Sequence, residues 1–79
     1  MESFIIMLGN RQINAVKTGA ACFKVYMHDR VVEVMLKEDN EGANHWFDMA
    51  IDSETTESRE LGKAIEAYFA ENNTVDYNK

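Results

Sequence analysis

The sequence predicts an α+β fold in which a four- to five-stranded antiparallel meander carries one C-terminal helix on one face. Three segments alternate apolar and polar residues with a period of two, which indicates half-buried strands. They are CFKVYMH, RVVEVMLK and HWFDMAID, at residues 22–28, 30–37 and 45–52. Residues 52–73 change to the spacing of an amphipathic helix. A run of strands followed by a helix is typical of a single α+β domain, and 79 residues are enough for one domain only.

An earlier strand is predicted in the run SFIIML near the N-terminus. Alternation places Phe4, Ile6 and Leu8 on one face and Ile5 and Met7 on the other.

Residues 9–21 carry a weaker pattern and allow two interpretations. They contain either a further strand around residues 12–17 or a loop between Gly9 and Gly19. The expected strand count is therefore four or five.

Two short turns can join the three alternating segments. A turn at Asp29–Arg30 would pair Val25 with Val34, and a turn at Glu41–Gly42 would pair Val34 with Met49. Both turns place the apolar residues on one face, namely Phe23, Val25, Met27, Val32, Val34, Leu36, Phe47, Met49 and Ile51. A longer first loop that keeps the same facing is an open alternative.

The opposite sheet face, called the open face below, mixes large apolar groups with charges. By the same alternation it carries Cys22, Lys24, Tyr26, Glu33, Met35, Lys37, Trp46, Asp48 and Ala50. An exposed apolar patch indicates interaction, self-association or cover by another segment. Tryptophan and tyrosine are frequent interface anchors. The open face is therefore a candidate binding or dimer surface, unless the N-terminal segment or the tail covers it.

The helix is predicted from one apolar stripe, formed by Leu61, Ala64, Ile65, Tyr68 and Phe69. Asp52 or Ser53 is expected to cap its start. Asn72 or Asn73 is expected to end it.

The net charge of −6 is unevenly distributed. Residues 11–37 hold five basic and two acidic residues, which gives +3, whereas residues 38–79 hold three basic and eleven acidic residues, which gives −8. The acidic helix carries Glu54, Glu57, Glu60, Glu66 and Glu71. This surface either keeps the protein soluble or docks on a basic partner.

The stretch KEDNEGANHWFDMAID, residues 37–52, suggests a metal loop at first sight. Alignment on Gly42 puts Lys37 at the first position of a calcium loop, and the flanking segments are strands, so a polar hairpin tip is the better interpretation. His28 and His45 are expected at opposite ends of the sheet, which argues against a shared metal site. Cys22 is the one cysteine and is interpreted as an ordinary small residue.

Enzymatic chemistry and cofactor binding are not expected. The hydroxyl residues Ser53, Thr55, Thr56 and Ser58 have no histidine nearby, and the four glycines form no phosphate-binding loop. The run at residues 3–8 is too short to span a membrane, and Glu2 stands where a signal peptide carries positive charge. One cysteine allows no internal disulfide, so a cytoplasmic location is expected.

Direct nucleic-acid binding is disfavoured. A sheet with aromatic residues beside lysines has the format of a single-strand stacking platform. Phosphate binding, however, requires several uncompensated basic residues, and the net charge of −6 opposes it.

In size, charge and element order the chain resembles small acidic phage-encoded anti-defence proteins, anti-CRISPR proteins in particular. The resemblance implies a non-enzymatic inhibitor that occupies a basic, nucleic-acid-binding surface of a partner complex. The alternative is a small structural or regulatory homodimer that pairs through the open face. The residues expected to bind the partner are Tyr26, Met35, Trp46, Asp48, Glu54, Glu57 and Glu60.

Overall fold

The computed structural model describes residues 3–71, which form one antiparallel sheet and one helix. The strands β1 (Ser3–Leu8), β2 (Arg11–Gly19), β3 (Cys22–Tyr26), β4 (Val31–Glu38), β5 (Asn44–Asp48) and β6 (Ser53–Glu54) lie side by side in chain order. Helix α1 (Thr56–Glu71) packs on one face of this sheet, against β1, β4 and β5. The α+β meander with one C-terminal helix is confirmed, but the sheet has six strands where four or five were predicted.

The segment with the weakest pattern forms a strand, β2. A two-residue turn at Gly9–Asn10 joins it to β1, and Gly9 has a positive φ of 64°. Ile6 pairs with Ile13, and both are buried on the face of the sheet that carries α1. The strand interpretation of residues 9–21 is therefore correct.

The β3–β4 hairpin turns one residue earlier than predicted, at His28–Asp29. Val25 pairs with Val32, and the Met27 amide donates a hydrogen bond to the Arg30 carbonyl (2.8 Å). Compared with the turn at Asp29–Arg30, the register moves by two residues. An even shift leaves every side chain on its own face, so the predicted facing of β3 and β4 is confirmed.

The β4–β5 hairpin differs from the prediction in a way that changes the faces. Its loop spans residues 39–43, so Leu36 pairs with Trp46, whereas a Glu41–Gly42 turn would pair it with Phe47. The Asp39 carboxylate accepts hydrogen bonds from the amides of Glu41 and Ala43, both at 2.9 Å. This polar tip is the expected hairpin end. However, its five residues shift the register by one, which turns every β5 side chain to the other face.

The end of the third predicted strand is a turn. β5 ends at Asp48, and residues 49–52 reverse the chain into the short strand β6. Met49 and Ile51 are exposed in this turn and are not core residues as predicted.

Helix α1 starts later than predicted because Thr55 provides the cap. The Ser58 amide donates to Thr55 Oγ1 (2.9 Å), and the Thr55 amide donates to Ser58 Oγ (2.8 Å), a reciprocal cap. Asp52 and Ser53, the predicted caps, lie in the preceding turn and in β6. The predicted end at Asn72 or Asn73 lies outside the described residues.

The core lies between the sheet and α1, and Trp46 of β5 is part of it. It contains Ile6, Ile13, Ala15, Phe23, Val25, Val32, Val34, Leu36, Trp46, Leu61, Ile65 and Phe69. The predicted helix stripe is confirmed, with Ala64 and Tyr68 at its half-buried margin. The Trp46 indole packs flat on Gly62, where an added Cβ would overlap the ring. Its Nε1 donates a hydrogen bond to Glu66 Oε2 (2.9 Å).

This packing predicts that Gly62→Ala destabilises the protein. Alanine favours a helix interior over glycine by about 1 kcal/mol, but its methyl group would displace the Trp46 ring. Overpacking of this kind costs about 1–3 kcal/mol. We therefore expect a lower free energy of unfolding in urea denaturation.

Gly19→Ala is the matched control, because its nearest neighbour is the Cys22 Cβ at 4.0 Å. A Gly62→Ala variant more stable than the parent would contradict the close approach of Trp46 to the helix.

Candidate functional site

The open face of the sheet is the first candidate surface, because α1 lies on the other face. It carries Ile5, Met7, Asn14, Val16, Cys22, Lys24, Tyr26, Val31, Glu33, Met35, Lys37, His45 and Phe47. Its most exposed apolar members are Met7 (53%), Val31 (52%), Ile5 (49%) and Tyr26 (44%). Within residues 3–71 no second layer covers them.

Three of these residues, Ile5, Tyr26 and Val31, lie in one row across β1–β4, with Asn14 of β2 between Ile5 and Tyr26. We call these three residues the apolar row. Ile5 is the partner of Asn14, Asn14 of Tyr26, and Tyr26 of Val31. Side chains directly opposite each other lie about 5 Å apart. The sequence placed Tyr26 on this face but paired it with Glu33. Val31 takes that position because the β3–β4 hairpin turns one residue earlier, and Ile5 joins the row through β2.

Met35 lies in another row of the open face, between Cys22 and Phe47. It is half-buried by these neighbours. The structure therefore confirms that Tyr26 and Met35 share a face, but places them in separate rows.

Trp46 and Asp48 do not lie on the open face, which corrects the prediction. Trp46 is 4% exposed in the core, and Asp48 pairs with Val34 on the helix side. The Asp48 carboxylate accepts a hydrogen bond from the Ala50 amide (3.0 Å) and shapes the turn after β5. His45, opposite Lys37, takes the open-face position that was assigned to Trp46, and Phe47, opposite Met35, takes the one assigned to Asp48.

Lys37 lies on the open face of β4, next to β5. Its Nζ lies 4.4 Å from the centre of the Phe47 ring and 3.1 Å from Asp52 Oδ1. The ammonium is therefore already engaged by a ring and a carboxylate. This leaves less positive charge for an incoming ligand.

His45 lies between two carboxylates, at the same end of the sheet as Lys37. Its Nε2 lies 2.9 Å from Asp39 Oδ2, and its Nδ1 lies 3.4 Å from Glu54 Oε1. The hydrogen bond to Asp39 is the main cause that raises the pKa of His45, and Glu54 adds to it while desolvation opposes it. The hydrogen bond from His45 in turn lowers the pKa of Asp39, together with the amides of Ala43 and Glu41. The alternation that predicted Phe47 in the core also puts His45 on the core side, and the one-residue shift brings His45 to the open face.

The predicted acidic residues do not form one surface. Glu57 forms an ion pair with Arg30, and Glu66 accepts the Trp46 indole N–H. Glu54 lies in β6, before the start of the helix, and contacts His45. Glu60 is exposed on α1 and forms no ion pair with the described residues.

The acidic residues are instead concentrated on one side of the sheet, in the later strands. Residues 3–28, which contain β1–β3, hold three basic residues and no acid. Residues 29–55, which contain β4–β6, hold eight acids and two basic residues, which gives −6. We call residues 29–55 the acidic half-sheet. Because strand order follows chain order, the uneven charge of the sequence becomes a gradient across the molecule.

The comparisons with known proteins add no identity. No protein family, curated protein or solved structure matches this chain. Among residues 3–71 no group of three histidine, cysteine, aspartate or glutamate side chains is arranged to hold a metal ion. No helix in the same range has the length and apolar character needed to cross a membrane.

The contact with Asp39 predicts an elevated pKa for His45. We expect NMR titration to give a pKa above the ordinary value of 6.5. Asp39→Asn should lower that pKa, because the main hydrogen-bond acceptor loses its charge. Glu41→Gln, in the same loop but without a contact to His45, is the control and should leave it unchanged. Equal shifts in both variants would mean that the electrostatic potential of the whole loop, and not the contact with Asp39, sets the pKa of His45.

The same shift has a defined effect on stability. A folded-state pKa above the unfolded value stabilises the fold below the unfolded pKa, and this contribution is lost as the pH rises through the folded pKa. We therefore expect the stability difference between the parent and His45→Gln to be largest below pH 6.5 and to shrink at alkaline pH. A difference that stays constant across this range would contradict the linkage.

Proposed function

We propose that the protein is a non-enzymatic protein-binding module that docks its acidic half-sheet on a basic surface of a partner. The observation that supports this is the segregation of charge, with eight of the twelve acids of residues 3–71 on residues 29–55. A one-sided charge distribution steers association toward a surface of opposite sign. As in the anti-CRISPR proteins it resembles, the protein would act as an inhibitor by occupying a nucleic-acid-binding surface.

The β4–β5 hairpin is the part of the acidic half-sheet best suited to this contact. Glu38 and Glu41 are exposed there and form no ion pair with residues 3–71. Asp39 is held by His45 and by two backbone amides, which fix the loop. Because the loop backbone is already fixed, the exposed carboxylates of Glu38 and Glu41 require no loop ordering on binding. They can occupy lysine and arginine side chains that otherwise neutralise phosphates.

The open face supports direct nucleic-acid binding less well than the sequence alone suggested. A stacking platform needs exposed aromatic rings and free cations. Trp46 lies in the core, and Lys37 is engaged with Phe47 and Asp52. Tyr26 remains as the exposed aromatic residue of this face.

The homodimer alternative also changes. It placed Trp46 among the anchors of the open face, and this residue is buried. The apolar row of Ile5, Tyr26 and Val31 is the observation that still favours an open-face contact. Such a contact could extend the acidic docking surface, since the row and β4 share one face of the sheet.

The direct test uses the purified protein as bait in nuclease-treated bacterial lysate, at low and moderate salt. We expect a stoichiometric, basic partner that is released at moderate salt and is displaced by added DNA or RNA. Displacement checks that the occupied surface binds nucleic acid. A partner that binds nucleic acid and this protein at the same time would overturn the inhibitor mechanism.

Neutral substitutions at the exposed acids then test the surface. Glu33→Gln, Glu38→Gln and Glu41→Gln, combined, remove three negative charges of the acidic half-sheet that form no ion pair within the described range. We expect affinity for the captured partner to fall about tenfold, at roughly 0.2–1 kcal/mol for each exposed charge pair that is lost. Titration calorimetry with the isolated partner measures this effect.

The control changes the net charge by the same amount at the other end of the sheet. Gln12→Lys, Thr18→Lys and Ala20→Lys are exposed positions on β2 and the following turn. Binding should be nearly unaffected by this triple variant. Equal losses in the two variants would mean that net charge, and not the acidic half-sheet, governs binding.

A further inference from the structure

The outer edge of β1 lacks the usual protection of an edge strand. β1 is six residues long and has no strand on its outer side among residues 3–71. Its sequence, SFIIML, has no charged residue and no proline, and its pairing with β2 contains no bulge. Natural edge strands are usually blocked by such features, because unpaired backbone groups bind other strands. At the opposite edge of the sheet, β6 has only two residues.

β1 is apolar on both sides and borders a cleft. Ile5 and Met7 are exposed on the open face, while Phe4, Ile6 and Leu8 face α1. A shallow cleft follows the outer edge of β1 below α1, and it is lined by Ile5, Ile6, Met7, Ala64, Ala67, Tyr68 and Glu71. The alanines leave space where side chains of an added strand would lie.

We propose that β1 pairs with the β1 of a second copy, antiparallel about a twofold axis, to form one twelve-stranded sheet. In an antiparallel pair, alternate residues direct both backbone groups to the same side, so half of β1 points away from β2. A twofold axis brings these groups against their own equivalents, N–H to C=O. Apolar side chains of β1 then meet their equivalents on both faces, and the one charged residue that lines the cleft is Glu71 of α1.

The charge gradient favours a second copy at this edge. Strands lie about 4.8 Å apart, so β5 of each copy would be about 20 Å from the axis. The two acidic half-sheets would then be separated by several Debye lengths at physiological salt, about 8 Å each. Pairing through β6 would bring them together. A basic partner, by contrast, would be attracted to the acidic half-sheet and not to the uncharged edge.

This dimer is independent of the proposed partner and would make the protein bivalent. Both acidic half-sheets would stay accessible at the two ends of the joined sheet. Binding of a repeated basic surface would then gain from avidity.

The test is analytical ultracentrifugation of the full chain over a hundredfold range of concentration, for the parent and two lysine variants. We expect a reversible dimer for the parent. Ile5→Lys places two like charges on the same face of the paired strands and should raise the dimer dissociation constant roughly tenfold or more. Val31→Lys adds the same charge to the open face of β4, at a similar exposure of 52% against 49%, and should leave the constant unchanged.

Three outcomes would overturn the proposal. The first is a parent protein that stays monomeric over the whole concentration range, and the second is a dimer that Ile5→Lys leaves intact. The third is a dimer that Val31→Lys disrupts as strongly as Ile5→Lys does, which would indicate an open-face contact. Circular dichroism checks that each variant folds. If Ile5→Lys does not fold, Met7→Lys, at the same edge, repeats the test. A monomeric parent that still captures a basic partner would refute the dimer alone, since binding by the acidic half-sheet does not require it.

Discussion

The packing of Trp46 on Gly62 is the interaction on which the rest of the structure depends. The indole occupies the space that a side chain at position 62 would fill, so helix and sheet approach closely at this point. Ser58 donates a hydrogen bond to the Trp46 carbonyl (2.6 Å), and Glu66 accepts the indole N–H. Three successive turns of α1 are therefore tied to one residue of β5. This fixes the face that β5 presents to the core and the line along which the helix crosses to β1.

Sequence reasoning succeeded where a local pattern was long enough to be unambiguous. Alternation over β3 and β4 gave their facing, and the helical stripe gave the buried side of α1. It failed at β5, where the residues HWFDM are apolar on both parities and allow either face. Loop length decided between them, and a five-residue loop built by the Asp39 carboxylate cannot be told from a two-residue turn by composition. Gly62 was the missed signal, because glycine within a helix usually marks a close approach.

That single error altered the candidate site more than the fold. A shift of one residue leaves six strands and a helix unchanged, yet it exchanges every side chain of β5 between core and surface. The shift placed Trp46 in the core, and it brought His45 and Phe47 to the open face. The acidic residues changed for a different reason. Glu57 and Glu66 lie on the predicted helix, but their partners, Arg30 and Trp46, are distant in sequence and could not be paired with them from spacing.

The meander topology links the two proposed surfaces. Because neighbouring strands are consecutive in the chain, a change in composition along the sequence becomes a change in position across the sheet. Residues 3–28 contain no acid, so the uncharged edge of β1 and the acidic half-sheet lie at opposite sides of the same layer. Charge that would oppose self-association is thereby remote from the strand that can pair. Each surface also uses a different force: apolar burial with backbone pairing at one edge, and salt-dependent attraction at the other. Salt should therefore weaken partner capture while leaving the dimer in place, which gives the two contacts separate experimental signatures.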